Sequence, residues 1–348
     1  MPQVSDWFGP ATTTAPPRVW LLAELGVNHD GSVDRALELT RAAKSAGADA
    51  IKLQRFEPDR LLSNQALLAD YQTGKADDAA ALLRSLVLSV DEMRIIRDAA
   101  RAAGLKFVVT PFSLADVADL ASLEVDAVKI ASPDAVNLPL LRESANLGVP
   151  MLVSTGTCEL AELTATVELL RTHSAGGCIM QCVSSYPTPT DAAALGGIAA
   201  LATQFGDIPV GYSDHTPDTH TGALAVASGA VVLEKHVTYD RAAVGPDHAV
   251  SLEPDTFAEY VRLARQAATM TGPRCKAVLS IENDVRQVSR QSLCATRDLP
   301  ADHVLTREDL TIKRPGTGLP AAVLMETIGR RLARPVRAND LLLADDLA

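Results

Sequence analysis

The sequence predicts a (β/α)8 TIM barrel, an α/β fold, followed by a small C-terminal module. Three observations lead there. Eight short, β-branched apolar runs alternate with helical patterns between Val19 and about Met270. Nearly every run turns from apolar to polar at its C-terminal tip. Two of those tips, Gly211-Tyr212-Ser213-Asp214-His215-Thr216 and Glu234-Lys235-His236-Val237-Thr238, carry histidines 21 residues apart, about one helix and its loops. Strand–helix alternation with short loops implies parallel strands and right-handed crossovers. Eight repeats favour a closed barrel over an open sheet, and no GxGxxG follows the first strand to suggest a dinucleotide site.

The expected strands, in order, are Val19–Ala23, Ala50–Leu53, Lys106–Val109, Ala127–Ile130, Pro150–Val153, Cys178–Cys182, Pro209–Tyr212 and Val231–Leu233. The helices between them announce their ends. Ser32 opens a helix with Val33, Ala36, Leu37, Thr40 and Ala43 on one face, and Gly47 closes it. Ser89-Val90-Asp91-Glu92 is a capping box whose helix stops at Gly104. Asn137 before Pro139 starts another, closed by Gly148. Glu253-Pro254 opens the last, with Phe257, Tyr260, Val261 and Ala264 in register.

The chain has 348 residues and is 47% hydrophobic, enough for a barrel and an appendage. A net charge of −11 without basic runs argues against nucleic acid and against anionic membrane surfaces. Five cysteines without CxxC spacing fit reduced thiols and a cytoplasmic protein. No stretch reaches the roughly 18 apolar residues of a membrane span. Residues 1–17, rich in Thr, Pro and Ala, read as a flexible or loosely docked tail without signal-peptide character. The barrel should occupy residues 18–270, a linker 271–284 and the small module 285–348.

In a barrel the C-terminal strand tips hold the chemistry. They offer Glu24, Lys52 with Gln54, Thr110, Lys129 with Ser132, Ser154 with Thr155, Ser184 with Tyr186, Ser213 with His215, and Glu234 with His236. Two lysines among hydroxyls suit a phosphate or phosphorylated carboxylate. Two imidazoles, His215 and His236, leave most of a divalent ion's coordination sphere open, which suits polarisation of a carbonyl. Glu24, Asp134 and Asp247 remain for hydroxyl recognition or proton transfer, although Asp134 also sits where a helix N-terminal residue would. In the small module, Lys313-Arg314-Pro315-Gly316-Thr317-Gly318 is a basic loop in an acidic chain.

From about residue 18 onward the chain resembles the sialic acid synthase family. The resemblance rests on Ala23-Glu24-Leu25-Gly26-Val27-Asn28-His29-Asp30-Gly31, Lys52-Leu53-Gln54, Thr110-Pro111-Phe112, Ser154-Thr155-Gly156, Ser184-Ser185-Tyr186-Pro187, the two histidine segments, Gly245-Pro246-Asp247-His248 and the Arg314 loop, in that order and spacing. It implies condensation of phosphoenolpyruvate with an N-acetylhexosamine, and an antifreeze-like (SAF, β-clip type) C-terminal domain. It also implies a domain-swapped homodimer whose SAF module covers the partner's barrel mouth. His215 and His236 would hold Mn2+, with Mg2+ or Co2+ as alternatives. Lys52, Thr110, Lys129, Ser132, Ser154, Ser184, Tyr186 and Ser213 would surround phosphoenolpyruvate. Glu24, Gln54, Asp134 and Asp247 would face the sugar, joined by Arg314 from the partner. Two positions depart from the pattern: Pro133-Asp134 stands where family members commonly carry a glutamate, and Arg55-Phe56 where a small hydroxyl residue is usual. Legionaminate, pseudaminate or deaminated-sialate synthesis is the alternative within the family, and a metal-dependent sugar-phosphate aldolase the alternative outside it.

Overall fold

The computed structural model describes residues 7, 18–63, 79–273 and 275–348. It divides into two compact units, residues 1–274 and 275–348, with the boundary inside the expected linker. In the first, eight parallel strands close into a barrel. They are β1 (Trp20–Gly26), β2 (Ala50–Arg55), β3 (Lys106–Pro111), β4 (Ala127–Ile130), β5 (Met151–Ser154), β6 (Gly177–Cys182), β7 (Val210–Asp214) and β8 (Val232–His236). All eight expected strands form, and most run one to three residues further at the C-terminal end. The crossover helices include α1 (Val33–Ser45), α2 (Val90–Ala102), α3 (Leu114–Leu123), α4 (Leu138–Ala145), α5 (Thr164–Thr172), α6 (Gly196–Gln204), α7 (Thr221–Ala227) and α8 (Pro254–Thr271). The predicted caps are present: Ser32 accepts from the Arg35 amide, and Ser89 and Glu92 complete their capping box.

Strand parity sorts the wall. Ala23, Ile51, Leu53, Phe107, Val109, Val128, Val153, Ile179, Tyr212 and Leu233 pack outward against the helices in one core. Trp20, Leu22, Ala50, Val108, Ala127, Leu152, Cys178, Met180 and Val232 fill the floor of the barrel in a second. Trp7 belongs to this floor, buried and stacked on Trp20 with ring centroids 4.3 Å apart. At that residue the tail is docked, because an indole finds apolar cover there that no solvated tail offers. The rest of residues 1–17 lies outside the described residues.

In the second unit, β9 (Ser292–Ala295) pairs antiparallel with β10 (Leu310–Lys313). Single bridges join Val304 to Arg331 and Cys294 to Leu341. Its core is built on Leu293, Leu299, Leu305, Leu310, Leu332 and Leu342. The buried Asp309 carboxylate fastens this unit, accepting from His303, the Thr306 amide and hydroxyl, and Arg297. Burial works against its charge, but these four donors outweigh it and hold the carboxyl far below the usual range. Among the described residues, no helix is long and apolar enough to cross a membrane.

Candidate active site

Above the apolar floor, the inward side chains turn polar. In the sheet register, Glu24 is paired with Lys52 on one side and with His236 on the other. Lys52 Nζ lies 3.0 Å from Glu24 Oε1, 3.0 Å from Thr110 Oγ1 and 3.9 Å from Glu234 Oε1. Gln54 Nε2 donates to Glu24 Oε1 at 3.0 Å. Lys129 Nζ is 3.7 Å from Glu234 Oε2, and Ser213 donates to Glu234 Oε1 at 3.1 Å. Glu24, Lys52, Gln54, Thr110, Lys129 and Ser213 therefore form one connected network centred on Glu234.

Burial dominates the electrostatics. It pushes the Glu24 carboxyl up to about 7 against the pull of Lys52. The same burial opposes charge on Lys52, yet Glu234 and Glu24 outweigh it and keep the ammonium charged. Lys129 is pulled down by burial in spite of Glu234. For Glu234 burial is overcome by Lys129 and Lys52, which hold it below the ordinary range. The site thus combines a stable carboxylate, a stable ammonium, and a second carboxyl able to carry a proton near neutrality.

Three serines line another part of the mouth. Ser132 Oγ accepts from the Gly156 amide at 3.0 Å. The Oγ atoms of Ser154 and Ser184 are buried without a hydrogen-bond partner among the described residues. Unpaired buried hydroxyls are costly unless something else bonds them, and at the barrel mouth these two are available to a ligand. A Cβ at Gly156 would lie 2.4 Å from Ser184 Oγ and 2.8 Å from Ser132 Oγ, so both hydroxyls converge over that glycine.

The histidine rings stand 5.4 Å apart, centroid to centroid, and the Tyr186 ring lies 4.1 Å from that of His215. His215 Nδ1 donates to Val183 O at 2.8 Å, which fixes the ring and leaves Nε2 for another partner. Burial opposes charge on His215, but Cys182 and Val183 outweigh it and raise its pKa. His236 is driven well below its ordinary value by burial and by nearby cations, so it is neutral and a competent ligand. Asp247 Oδ2 is 3.7 Å from His236 Nδ1. Among the described residues, no group of three or more His, Cys, Asp and Glu side chains is arranged to hold a metal. Two adjacent imidazoles, one oriented by a carbonyl and one held neutral, still fit an ion that takes its remaining ligands from water and substrate.

Two expected residues remain. Asp134, in the turn after β4, is half-buried and spends Oδ1 on Asn137 Nδ2 at 2.9 Å, as a helix-start residue would. Burial raises its pKa, partly countered by Asn137. Arg314 belongs to the second unit. Two further buried residues carry structure that spacing alone hides. Glu234 holds both lysines. Lys235, on the opposite face of β8, pairs with Asp214 at 3.1 Å, donates to Thr216 O and sits over the Tyr260 ring. Arg55 also points outward, to Asp119 at 2.9 Å and Glu57 at 2.8 Å, away from the mouth.

A barrel mouth with buried ammonium groups, free hydroxyls and paired imidazoles defines a TIM-barrel enzyme handling an anion beside a carbonyl. The NeuB family model matches residues 39–276 and the SAF domain model residues 290–348. The chain belongs to the NeuB family. It is 34% identical to the N,N'-diacetyllegionaminic acid synthase of Legionella pneumophila, over 93% of each chain. It is 31% identical to the human N-acetylneuraminate-9-phosphate synthase, over 94% of this chain and 92% of that one. The N-acetylneuraminic acid (sialic acid) synthetase of Leptospira borgpetersenii, solved with citrate, superposes with a TM-score of 0.70 at 29% identity, covering 77% of this chain and 90% of that one.

Proposed function

We propose that this enzyme condenses phosphoenolpyruvate with an N-acetylhexosamine and water to give a nonulosonic acid and inorganic phosphate. The acceptor is N-acetylmannosamine or an analogue; relatives named as legionaminic and pseudaminic acid synthases support a diacetamido-trideoxyhexose equally. The observation that carries the reading is the division of the barrel mouth. Lys52, Lys129 and the unpaired Ser154 and Ser184 hydroxyls favour a phosphorylated carboxylate. Glu24, Gln54 and Asp247 crowd one glycine beside the imidazoles, favouring a polyhydroxylated aldehyde. The basic groups offset phosphate charge in a water-poor cleft, where such compensation is worth most.

C3 of the enolpyruvate attacks the open-chain sugar aldehyde, water adds at C2, and phosphate leaves with its C–O bond. A divalent ion held by His215 and His236, Mn2+ in the first place, would supply polarisation of the aldehyde oxygen. Glu24 can hold a proton on Oε2, which has no hydrogen-bond partner among the described residues, while Oε1 accepts from Lys52 and Gln54. One carboxyl can thereby give a proton to the new alkoxide and recover one from the adding water, so protons balance. We place the working enzyme in the cytoplasm as a domain-swapped homodimer, with Arg314 contributed to the partner's sugar site.

The test is phosphate release with a panel of acceptors: N-acetylmannosamine, mannose and diacetamido-trideoxyhexoses. Release only when phosphoenolpyruvate and a free hexosamine are both present supports the reading. Release from phosphoenolpyruvate alone, or cleavage of a sugar phosphate, overturns it.

A further inference from the structure

The loops after β1 and β8 are tied by side chains that none of the roles above uses. His248 is fully buried, with Nε2 2.9 Å from Asp30 Oδ1 and Nδ1 2.7 Å from Thr238 Oγ1. A carboxylate only accepts, so Nε2 carries the proton, and both ring nitrogens are committed. The second Asp30 oxygen takes the Tyr239 hydroxyl at 2.9 Å and pairs with Arg35, whose guanidinium covers the Tyr239 ring. The arrangement requires glycine at 245, because a Cβ there would lie 2.5 Å from His248 Cδ2.

Its neighbours lead to the sugar side of the site. Asp247 precedes His248, and its carbonyl accepts from Ser251 Oγ at 2.6 Å. Asn28 Nδ2 in turn donates to Ser251 Oγ and to Val237 O, joining the β1 loop to the β8 loop a second time. A Cβ at Gly26, which has φ +51°, would lie 2.9 Å from Glu24 Oε1, 3.3 Å from Gln54 Nε2 and 3.5 Å from Asp247 Oδ2. Asp247 is the member of that trio carried by a loop, whereas Glu24 and Gln54 stand on strands.

We propose that Asp30, His248 and Thr238 form a positioning clamp that holds Asp247 against Glu24 and Gln54, and so sets acceptor affinity independently of phosphoenolpyruvate. The kinetic part rests on the function proposed above. Neither His248 nor Asp30 touches the reacting atoms; they fix the loop that carries the proposed sugar contact Asp247. A displacement of about 1 Å in a substrate-positioning group costs up to about a hundredfold.

The test uses the full-length enzyme, phosphoenolpyruvate, and whichever of N-acetylmannosamine and 2,4-diacetamido-2,4,6-trideoxymannose the wild type turns over faster. His248→Ala should raise the acceptor KM roughly tenfold and leave the phosphoenolpyruvate KM within about twofold. His248→Gln, whose amide can still reach Asp30, should recover most of the loss. Asp247→Asn combined with His248→Ala should be little worse than Asp247→Asn alone, the non-additivity of groups acting as a unit. Equal rises in both KM values, or strict additivity, would overturn the clamp. Should His248→Ala fail to fold, Thr238→Val removes one of the two His248 bonds, together with those of Oγ1 to the Asp240 amide and carbonyl, and must give a split in the same direction; no split overturns the proposal. Amide exchange reads the clamp without turnover: exchange over 240–250 should quicken in His248→Ala or, failing that, Thr238→Val, while 151–156 stays unchanged. Unchanged exchange at 240–250 refutes the clamp, whereas a wild type inactive with both sugars refutes only the proposed reaction.

Discussion

Gly156→Ala isolates the hydroxyl cradle from everything else in the barrel. The backbone at Gly156 lies outside the left-handed region, so alanine is tolerated there and the fold should survive. The added methyl would stand 2.4 Å from Ser184 Oγ and 2.8 Å from Ser132 Oγ. Ordinary contact begins near 3.4 Å, so the two hydroxyls must retreat by about 1.0 and about 0.6 Å. Serine does this cheaply by rotating about χ1, and rotation carries the oxygen out of the cradle. A hydrogen bond to a charged group contributes about 1.5–3 kcal/mol, and about 1.4 kcal/mol is tenfold in affinity. Losing one such bond to the phosphate or carboxylate should therefore raise the phosphoenolpyruvate KM roughly ten- to a hundredfold. Steady-state phosphate release, with melting followed on the same samples, gives the answer. The acceptor KM should stay within about twofold. A phosphoenolpyruvate KM close to wild type in a folded variant would show that the serines do not face that substrate.

His215→Ala should abolish metal-dependent turnover in a protein that still melts cooperatively, and lower the metal retained after dialysis against Mn2+; near-normal turnover would sink the metal assignment. Arg314→Ala should raise the acceptor KM more than that of phosphoenolpyruvate. Mixing it with an inactive Lys52→Met chain should restore part of the activity if the loop serves the partner, and none if it serves its own barrel. Trp7→Ala removes a buried indole from the barrel floor and should cost about 3–5 kcal/mol in denaturant unfolding. Because the chain has only two tryptophans and they stack, its fluorescence reports that floor directly, and an unchanged spectrum would deny the stack. Asp309→Asn should lower the melting temperature of the SAF unit at neutral pH. Its native pKa is depressed, so its stabilisation is complete above the ordinary value of 3.8 and is lost as pH falls towards the native value. The gap between wild type and variant should accordingly close below about pH 4; a gap independent of pH would contradict the charged role.

The barrel was legible because each of its repeats carries its own local signals. Caps at Ser32 and Ser89, glycines at 47 and 104, and β-branched runs act within one turn or strand, and the structure places the elements there. The site was legible as far as strand tips determine it, since Lys52, Thr110, Lys129, Ser213, His215 and His236 all meet at the mouth. What spacing could not supply are partnerships across the seam where β1 closes on β8. Asp30 and His248 are 218 residues apart, and Asn28 reaches Val237 across 209. Trp7 sits in a Pro- and Thr-rich stretch whose composition says nothing of an indole filling the floor.

Strand parity accounts for one of the two departures from the family pattern, and a local hydrogen bond bears on the other. Side chains alternate across a strand, and on β2 Lys52 and Gln54 enter the barrel while Leu53 and Arg55 leave it. Arg55 therefore answers to Asp119 and Glu57 in the helical layer, away from the barrel mouth. The same rule on β8 sends Glu234 and His236 inward and Lys235 outward, so one tripeptide supplies the carboxylate that balances two lysines, a neutral imidazole, and a buried ion pair with Asp214 in the wall. Asp134, one methylene shorter than the usual glutamate, already spends an oxygen on Asn137. The groups that do converge are Glu24, Gln54 and Asp247 around Gly26, and of these Asp247 is the one whose placement depends on a loop. On the reading proposed above, Asp247 on the β8 loop is the sugar contact that can move without moving a strand, because Lys52, Thr110, Lys129, Ser154 and Ser213, proposed to surround phosphoenolpyruvate, all stand on barrel strands.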